Sequence, residues 1–250
     1  MNVAVASYAF HGLLRDGAID LFGYLESCRN RYDLGTADIW NGMLTSTDDD
    51  YLAKVKGALA ERDLVLVNLC VDGPHIWEDD PAVREQHYQS ALRYLEIAEF
   101  LGAKTLRIDA GVREESFTDE QFDGIVKRFQ EYAQRAHDSG FKVGPENHWG
   151  AEAVPSNMKR LCEAVAHPGF GVLLHFRDDE GNAMMAPWAM HTHISHEITS
   201  DNGLEGSMRI LRDAGYQGSW SVEHHSGTNE YVEVADQLAK VRDVLARWDS

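Results

Sequence analysis

Four short stretches in the second half of the chain carry most of its potential for chemistry. They read KVGPENHWG, GVLLHF, MHTHISH and WSVEHH. The first presents Glu146 and His148 and the second His175. The third presents His191, His193 and His196, and the last Glu223, His224 and His225. Seven of the twelve histidines fall in these stretches. Each begins as an apolar or β-branched run, and its His and Glu residues come at or just past the end of that run. Imidazole nitrogen and carboxylate oxygen are the donors that divalent transition metals take from proteins, so the pattern points to a metal centre. Side chains alternate faces along a strand, so His191 and His193 share a face, with His193 nearer the strand end. His191, one layer deeper, reads as a core histidine with its nitrogens satisfied. His224 reads as turned away from Glu223, and His196 and His225 read as loop residues. Two carboxylates at inward strand ends, Glu146 and Glu223, are costly to bury unless paired or metal-bound.

The elements that would position these groups follow a rhythm of about 30 residues. Short apolar runs at 3–8, 34–40, 64–71, 105–110, 142–147, 170–176, 189–195 and 219–224 alternate with amphipathic stretches. That alternation argues for βα units and a parallel sheet. Eight such units in 250 residues predict one (β/α)8 TIM barrel over residues 1–250, with its active site at the C-terminal ends of the strands. Helix ends are legible. Asp80 before Pro81 reads as an N-cap, and Gly102 closes that helix. Thr118 and Gln121 form a capping box ahead of a stripe of Phe122, Ile125, Phe129, Tyr132 and Ala136, with Gly140 as the stop. Tyr231, Val234, Leu238, Val241 and Leu245 repeat the logic in the last helix. Between the sixth and seventh strands stand only the twelve residues RDDEGNAMMAPW, which predict a shortened helix.

Composition narrows the partners. The net charge is −18, from 23 basic and 41 acidic side chains. Such a field repels nucleic acid, whose binding rests on basic neutralisation of phosphates. No run of eighteen apolar residues exists to span a membrane. The opening MNVAVASYAF lacks a signal peptide's basic start and long apolar stretch. Cys28, Cys70 and Cys162 lie far apart, which predicts a reducing, cytoplasmic setting.

The segments VASYAF, LGTADIW, LGAKTLRIDAG, PENH, HTHIS and SVEHH, in that order, resemble the xylose isomerase-like TIM barrels, often called the sugar phosphate isomerase/epimerase group. The resemblance covers nearly the whole chain. It implies one divalent ion held from four successive strands, by Glu146, His175, His193 and Glu223. Family members usually carry Asp where His175 stands. A set of two Glu and two His is softer than the usual one, favouring Mn, Co, Fe or Zn over Mg. The family's isomerases and epimerases use the two glutamates to move a proton on a sugar carbon beside a carbonyl, through an enediolate stabilised by the cation. Glu146 and Glu223 would fill those roles. Trp40, Trp77 and Trp149 are candidates to stack on a sugar, and Asp72 and His75 to line the mouth.

Some positions depart from the family. Asp178 stands where ketohexose epimerases carry a substrate-binding His, and Thr199 where they carry an Arg. His193-Ile194-Ser195-His196 replaces the H-x-K-D of many sugar phosphate members. These departures argue against ketohexose epimerisation itself and against a phosphorylated substrate. The leading expectation is a metal-dependent isomerase or epimerase of a small sugar or keto-sugar. The alternative is a metal-dependent lyase or dehydratase acting on a keto-glycoside or related sugar derivative, with His148 as base, as in the family's C-glycoside deglycosidase subunits. A metal-dependent endonuclease, a non-catalytic partner barrel and a homo-oligomer are further readings.

Overall fold

A computed structural model of the chain describes residues 2–200 and 203–248. Eight strands occur in the expected places: β1 Val3–Val5, β2 Thr36–Trp40, β3 Val65–Val71, β4 Thr105–Ile108, β5 Lys142–Gly144, β6 Val172–His175, β7 Ala189–Ser195 and β8 Trp220–Glu223. A principal helix follows each strand in turn: α1 Leu21–Glu26, α2 Asp49–Glu61, α3 Pro81–Leu101, α4 Asp119–Asp138, α5 Pro155–Val165, α6 Asp179–Met185, α7 Leu204–Asp213 and α8 Glu230–Trp248. As the short connection requires, α6 spans seven residues. Among these helices none is long and apolar enough to cross a membrane.

All strand pairs are parallel. One ladder runs β1-β8-β7-β6 and the other β2-β3-β4-β5. Single bridges close the ring, Ala6 to Asp38 between β1 and β2, and Val143 to Phe170 and Glu146 to Leu173 between β5 and β6. The result is a (β/α)8 barrel.

Side chains reinforce the β1–β2 seam, where the ladder is thinnest. The Asp38 amide donates to the Tyr24 hydroxyl at 2.8 Å, and that hydroxyl donates to Val5 O at 2.7 Å. Thr36 Oγ1 donates to Val3 O and the Trp40 amide to Ser7 Oγ. At the β5–β6 seam the backbones come very close. A Cβ on Gly144 would stand 1.7 Å from Gly171 O, so only glycine fits there.

The helix ends match the sequence reading. The Asp80 carboxylate accepts from Ala82 N, and Gly102 closes α3 at φ 73. The capping box of Thr118 and Gln121 is complete at the head of α4. Phe122, Ile125, Phe129, Tyr132 and Ala136 form its buried stripe. The apolar core lies between strands and helices. Inside the barrel the chain instead buries a polar cluster of Asp38, Asn68, Thr105, His191 and Ser221.

Candidate metal centre

The C-terminal ends of β5 to β8 bring the expected donors together. His193 Nδ1 lies 3.3 Å from Glu146 Oε1 and 3.4 Å from Glu223 Oε1. Donor atoms of these three residues all fall within 4.8 Å of one another. His175 borders both carboxylates, with Nδ1 3.2 Å from Glu146 Oε1 and 3.7 Å from Glu223 Oε2. Donors about 2.1 Å from a tetrahedral ion stand about 3.4 Å apart, which is the spacing found here. Glu146, His193 and Glu223 are all buried.

The backbone around these donors is pinned by neighbours. Asn147 acts as an extra peptide: its amide Nδ2 donates to His175 O at 3.0 Å and its Oδ1 accepts from His175 N at 2.6 Å. That clamp fixes the end of β6 against the segment carrying Glu146. Asp109 Oδ1 accepts from Glu146 N, while Asp109 Oδ2 accepts from Arg107 Nη1 at 2.8 Å and from Trp149 Nε1 at 3.3 Å. Arg107 Nε lies 3.3 Å from Glu146 Oε2. From β2, Asp38 supports the histidines. Its Oδ2 lies 2.7 Å from His191 Nε2 and 3.1 Å from His193 Nε2, and accepts from Ser221 Oγ at 2.7 Å. Asp38 Oδ1 accepts from Asn68 Nδ2.

One atom tests whether these residues suit a cation. His193 Nδ1 is buried and has no hydrogen-bond partner, although it faces two carboxylates. Once neutral, with Nε2–H given to Asp38, His193 would offer its Nδ1 lone pair to a metal, the usual carboxylate–histidine–metal arrangement. The donor set therefore fits a divalent ion.

Charge is strongly coupled here. Burial alone would raise the Glu146 carboxyl. The imidazoles of His148 and His193, with the hydrogen bond from His175, outweigh it and hold Glu146 well below the ordinary carboxylate range. Glu223 is likewise raised by burial but lowered overall by His193 and by the hydrogen bond from His225. For His193, burial disfavours the charged form, yet Glu223, Glu146 and Asp38 push it well above the ordinary imidazole value.

Comparison with known proteins bears on what this arrangement is. The sequence model of the xylose isomerase-like TIM barrel matches residues 32–247. The chain belongs to the xylose isomerase-like TIM barrel family. Curated protein sequences gave no match. Solved structures of the same fold include the IolI protein with a bound zinc atom, at 14% identity and a TM-score of 0.79, with 99% of each chain covered. A D-psicose 3-epimerase with D-tagatose from Clostridium cellulolyticum H10 aligns at 14% identity and a TM-score of 0.75, again over 99% of each chain. The probable 3-DHS dehydratase AsbF from Bacillus anthracis aligns at 13% identity and a TM-score of 0.73, over 97% of this chain and 99% of that one.

In this xylose isomerase-like barrel a cavity of about 410 Å³ opens over the centre. Trp40, Asp72, Glu146, His148, His175 and Glu223 line it, as do Tyr8, Cys70, Arg107, Arg177 and His225. Trp40 is held by its indole N–H, which donates to Asp72 Oδ2 at 2.7 Å. His148 Nδ1 lies 3.4 Å from Glu146 Oε2. Three of the expected substrate residues lie elsewhere. Trp77 is buried beneath the Arg84 guanidinium, 3.6 Å from its ring centre. His75 turns away to Glu78, and Trp149 stands behind the wall, donating to Asp109. The loop after β3 bends at Gly73, φ 111, so sequence position alone misplaces the residues beyond that bend.

His191 is buried against Asp38, and His224 turns to the loop, with Nε2 3.0 Å from Thr228 O. His196 lies by Glu233. His225 lies in the loop after β8, as read, and there lines the cavity, with Nε2 2.8 Å from Glu223 Oε2. Sequence reasoning also passed over Asp38, Arg107 and Asp109. A charged residue inside an apolar strand run, as in TADIW and TLRID, was the signal that could have found them, because such residues are rarely buried unless paired.

Proposed function

We propose that the protein is a metal-dependent isomerase or epimerase of a small sugar or keto-sugar, with Glu146, His175, His193 and Glu223 as metal ligands. The observation that carries this reading is the convergence of those donors under the cavity, with His193 Nδ1 buried and unpartnered between two carboxylates. When bound, the divalent ion supplies Lewis-acid stabilisation of negative charge on a substrate oxygen. Glu146 and Glu223 are both held in the anionic form, so either can take a proton from a carbon beside a carbonyl. His225, partly exposed and paired with Glu223, gives that carboxylate a route for proton exchange with solvent. The Trp40 ring offers an apolar face to a sugar, and Asp72 and Arg107 offer polar contacts to its hydroxyls. The donor set favours Mn, Co, Fe or Zn. An epimerase and a probable dehydratase among the structures of the same fold lend support to a reading of this kind.

A second reading is a lyase with His148 as base. It rests on His148 standing at the cavity rim, its Nδ1 enclosed and without a hydrogen-bond partner. Incubating the Mn²⁺-loaded enzyme with a panel of small ketoses in deuterated water separates the two by NMR. Deuterium at the carbon beside the carbonyl, with no loss of water or of an aglycone, is the expected result. Elimination without such exchange would overturn the isomerase reading in favour of the lyase.

A further inference from the structure

Outside the cavity, three side chains converge on a second point. His75 and Glu78 come from the connection between β3 and α3, and His87 from α3 itself. His75 Nδ1 lies 3.1 Å from Glu78 Oε1, and His87 Nδ1 lies 3.5 Å from the same oxygen. The three donor atoms all fall within 4.8 Å of one another. A hydrogen bond between His75 and Glu78 accounts for one imidazole. It leaves the other unexplained, because His87 Nδ1 is enclosed and has no hydrogen-bond partner.

The connection is held rigidly from both sides. Ile76 N donates to Asp109 O at 3.1 Å and Trp77 N to Ala110 O at 2.7 Å, which ties it to the end of β4. Arg84 Nε donates to Glu78 O at 2.7 Å, which ties it to α3. Behind it sits Gly111, at φ +96, where a Cβ would stand 2.6 Å from His75 Cβ. The three donors are thus brought to one place by a scaffold that does not depend on them.

We propose that His75, Glu78 and His87 form a second divalent-metal site, of the kind zinc occupies, separate from the centre in the barrel. Two imidazoles and one carboxylate are a donor set that zinc takes with a remaining position for water. The spacings of 3.1 and 3.5 Å bracket the roughly 3.4 Å between donors around a tetrahedral ion. The side chains are 20%, 30% and 25% exposed, which leaves an entry path from solvent. An ion here cross-links the β3–α3 connection to α3. It also fixes the wall behind Glu146, since the His75 ring packs 5.3 Å from the Trp149 ring and Trp149 donates to Asp109.

The test is zinc counting. Purified protein is stripped with chelator, re-equilibrated with Zn²⁺ alone and analysed by mass spectrometry. The His193→Ala chain, crippled at the barrel centre, is expected to keep one ion and to lose it when Glu78→Gln or His87→Ala is added. Co²⁺ loaded into the same His193→Ala background should lose its visible absorption in step. A folded His193→Ala chain that binds no zinc, or whose zinc content is unchanged by Glu78→Gln, overturns the inference, whatever the barrel centre does. Should loss of His193 prevent folding, a deficit of one ion in Glu78→Gln against the unaltered chain decides the matter, and equal counts overturn it.

Discussion

A single carboxylate oxygen, Asp38 Oδ2, takes contacts from His191, His193 and Ser221 in the middle of the barrel. It sets the His193 tautomer, and through it the direction of the Nδ1 lone pair. Replacing Asp38 by Asn keeps the volume but removes the anion. The expected result, by metal titration, is about a 10- to 100-fold loss of metal affinity in a folded protein, as for other partners of ligating histidines. An unchanged affinity would show that His193 is oriented by something else. Glu146→Gln and Glu223→Gln should each lower turnover by about 10² to 10⁴, the usual share of a proton-transfer group. Full activity in either variant would overturn its role.

The same residues give a pH dependence whose sign can be worked out. The raised His193 imidazole stabilises the metal-free fold fully below its unfolded value of about 6.5, and loses that contribution as pH rises through the folded value. Glu146 and Glu223, held low, contribute above about pH 4.3 and lose it as pH falls through their folded values. Chelator-treated protein should therefore show a urea midpoint that falls as pH rises above about 6.5. Metal binding needs neutral His193, so added Mn²⁺ should cancel that fall, with affinity rising as pH rises. A flat or rising midpoint in the chelated protein would contradict the charge state assigned to His193.

At the scale of elements, the weak point is the seam between β1 and β2. Tyr24 spans it from α1 with its hydroxyl. Tyr24→Phe leaves the Asp38 amide without that acceptor in a buried place, at a cost of about 1–3 kcal/mol in chemical denaturation. A loss within error would mean that the seam closes without it. Most elements were legible in the sequence because their signals are local: alternating strand runs, the capping box of Thr118, the stripe of α4, and the twelve residues that leave room only for a short α6. That Glu146, His175, His193 and Glu223 share one rim was legible for the same reason, since they sit at strand ends. Trp77 and His75 lie away from the cavity because loop direction depends on how the connections after β3 and β4 pair, as Ile76 and Trp77 do with Asp109 and Ala110, and Trp149, after β5, is drawn to Asp109. Asp38 was overlooked because its partners lie far along the chain, up to 183 residues away.

For the whole molecule, barrel closure is what turns scattered residues into a centre. β5 to β8 each bring one of the four proposed ligands to one rim, β2 and β4 supply the supports, and the cavity forms where they meet. The net charge of −18 suits a cation there. The most direct measurement is anomalous diffraction from crystals loaded with Mn²⁺. A peak is expected among Glu146, His175, His193 and Glu223, within bonding distance of His193 Nδ1. Crystals loaded in the same way that show no peak there, with His193 Nδ1 still facing the two carboxylates, would contradict the metal centre on which the proposed chemistry depends.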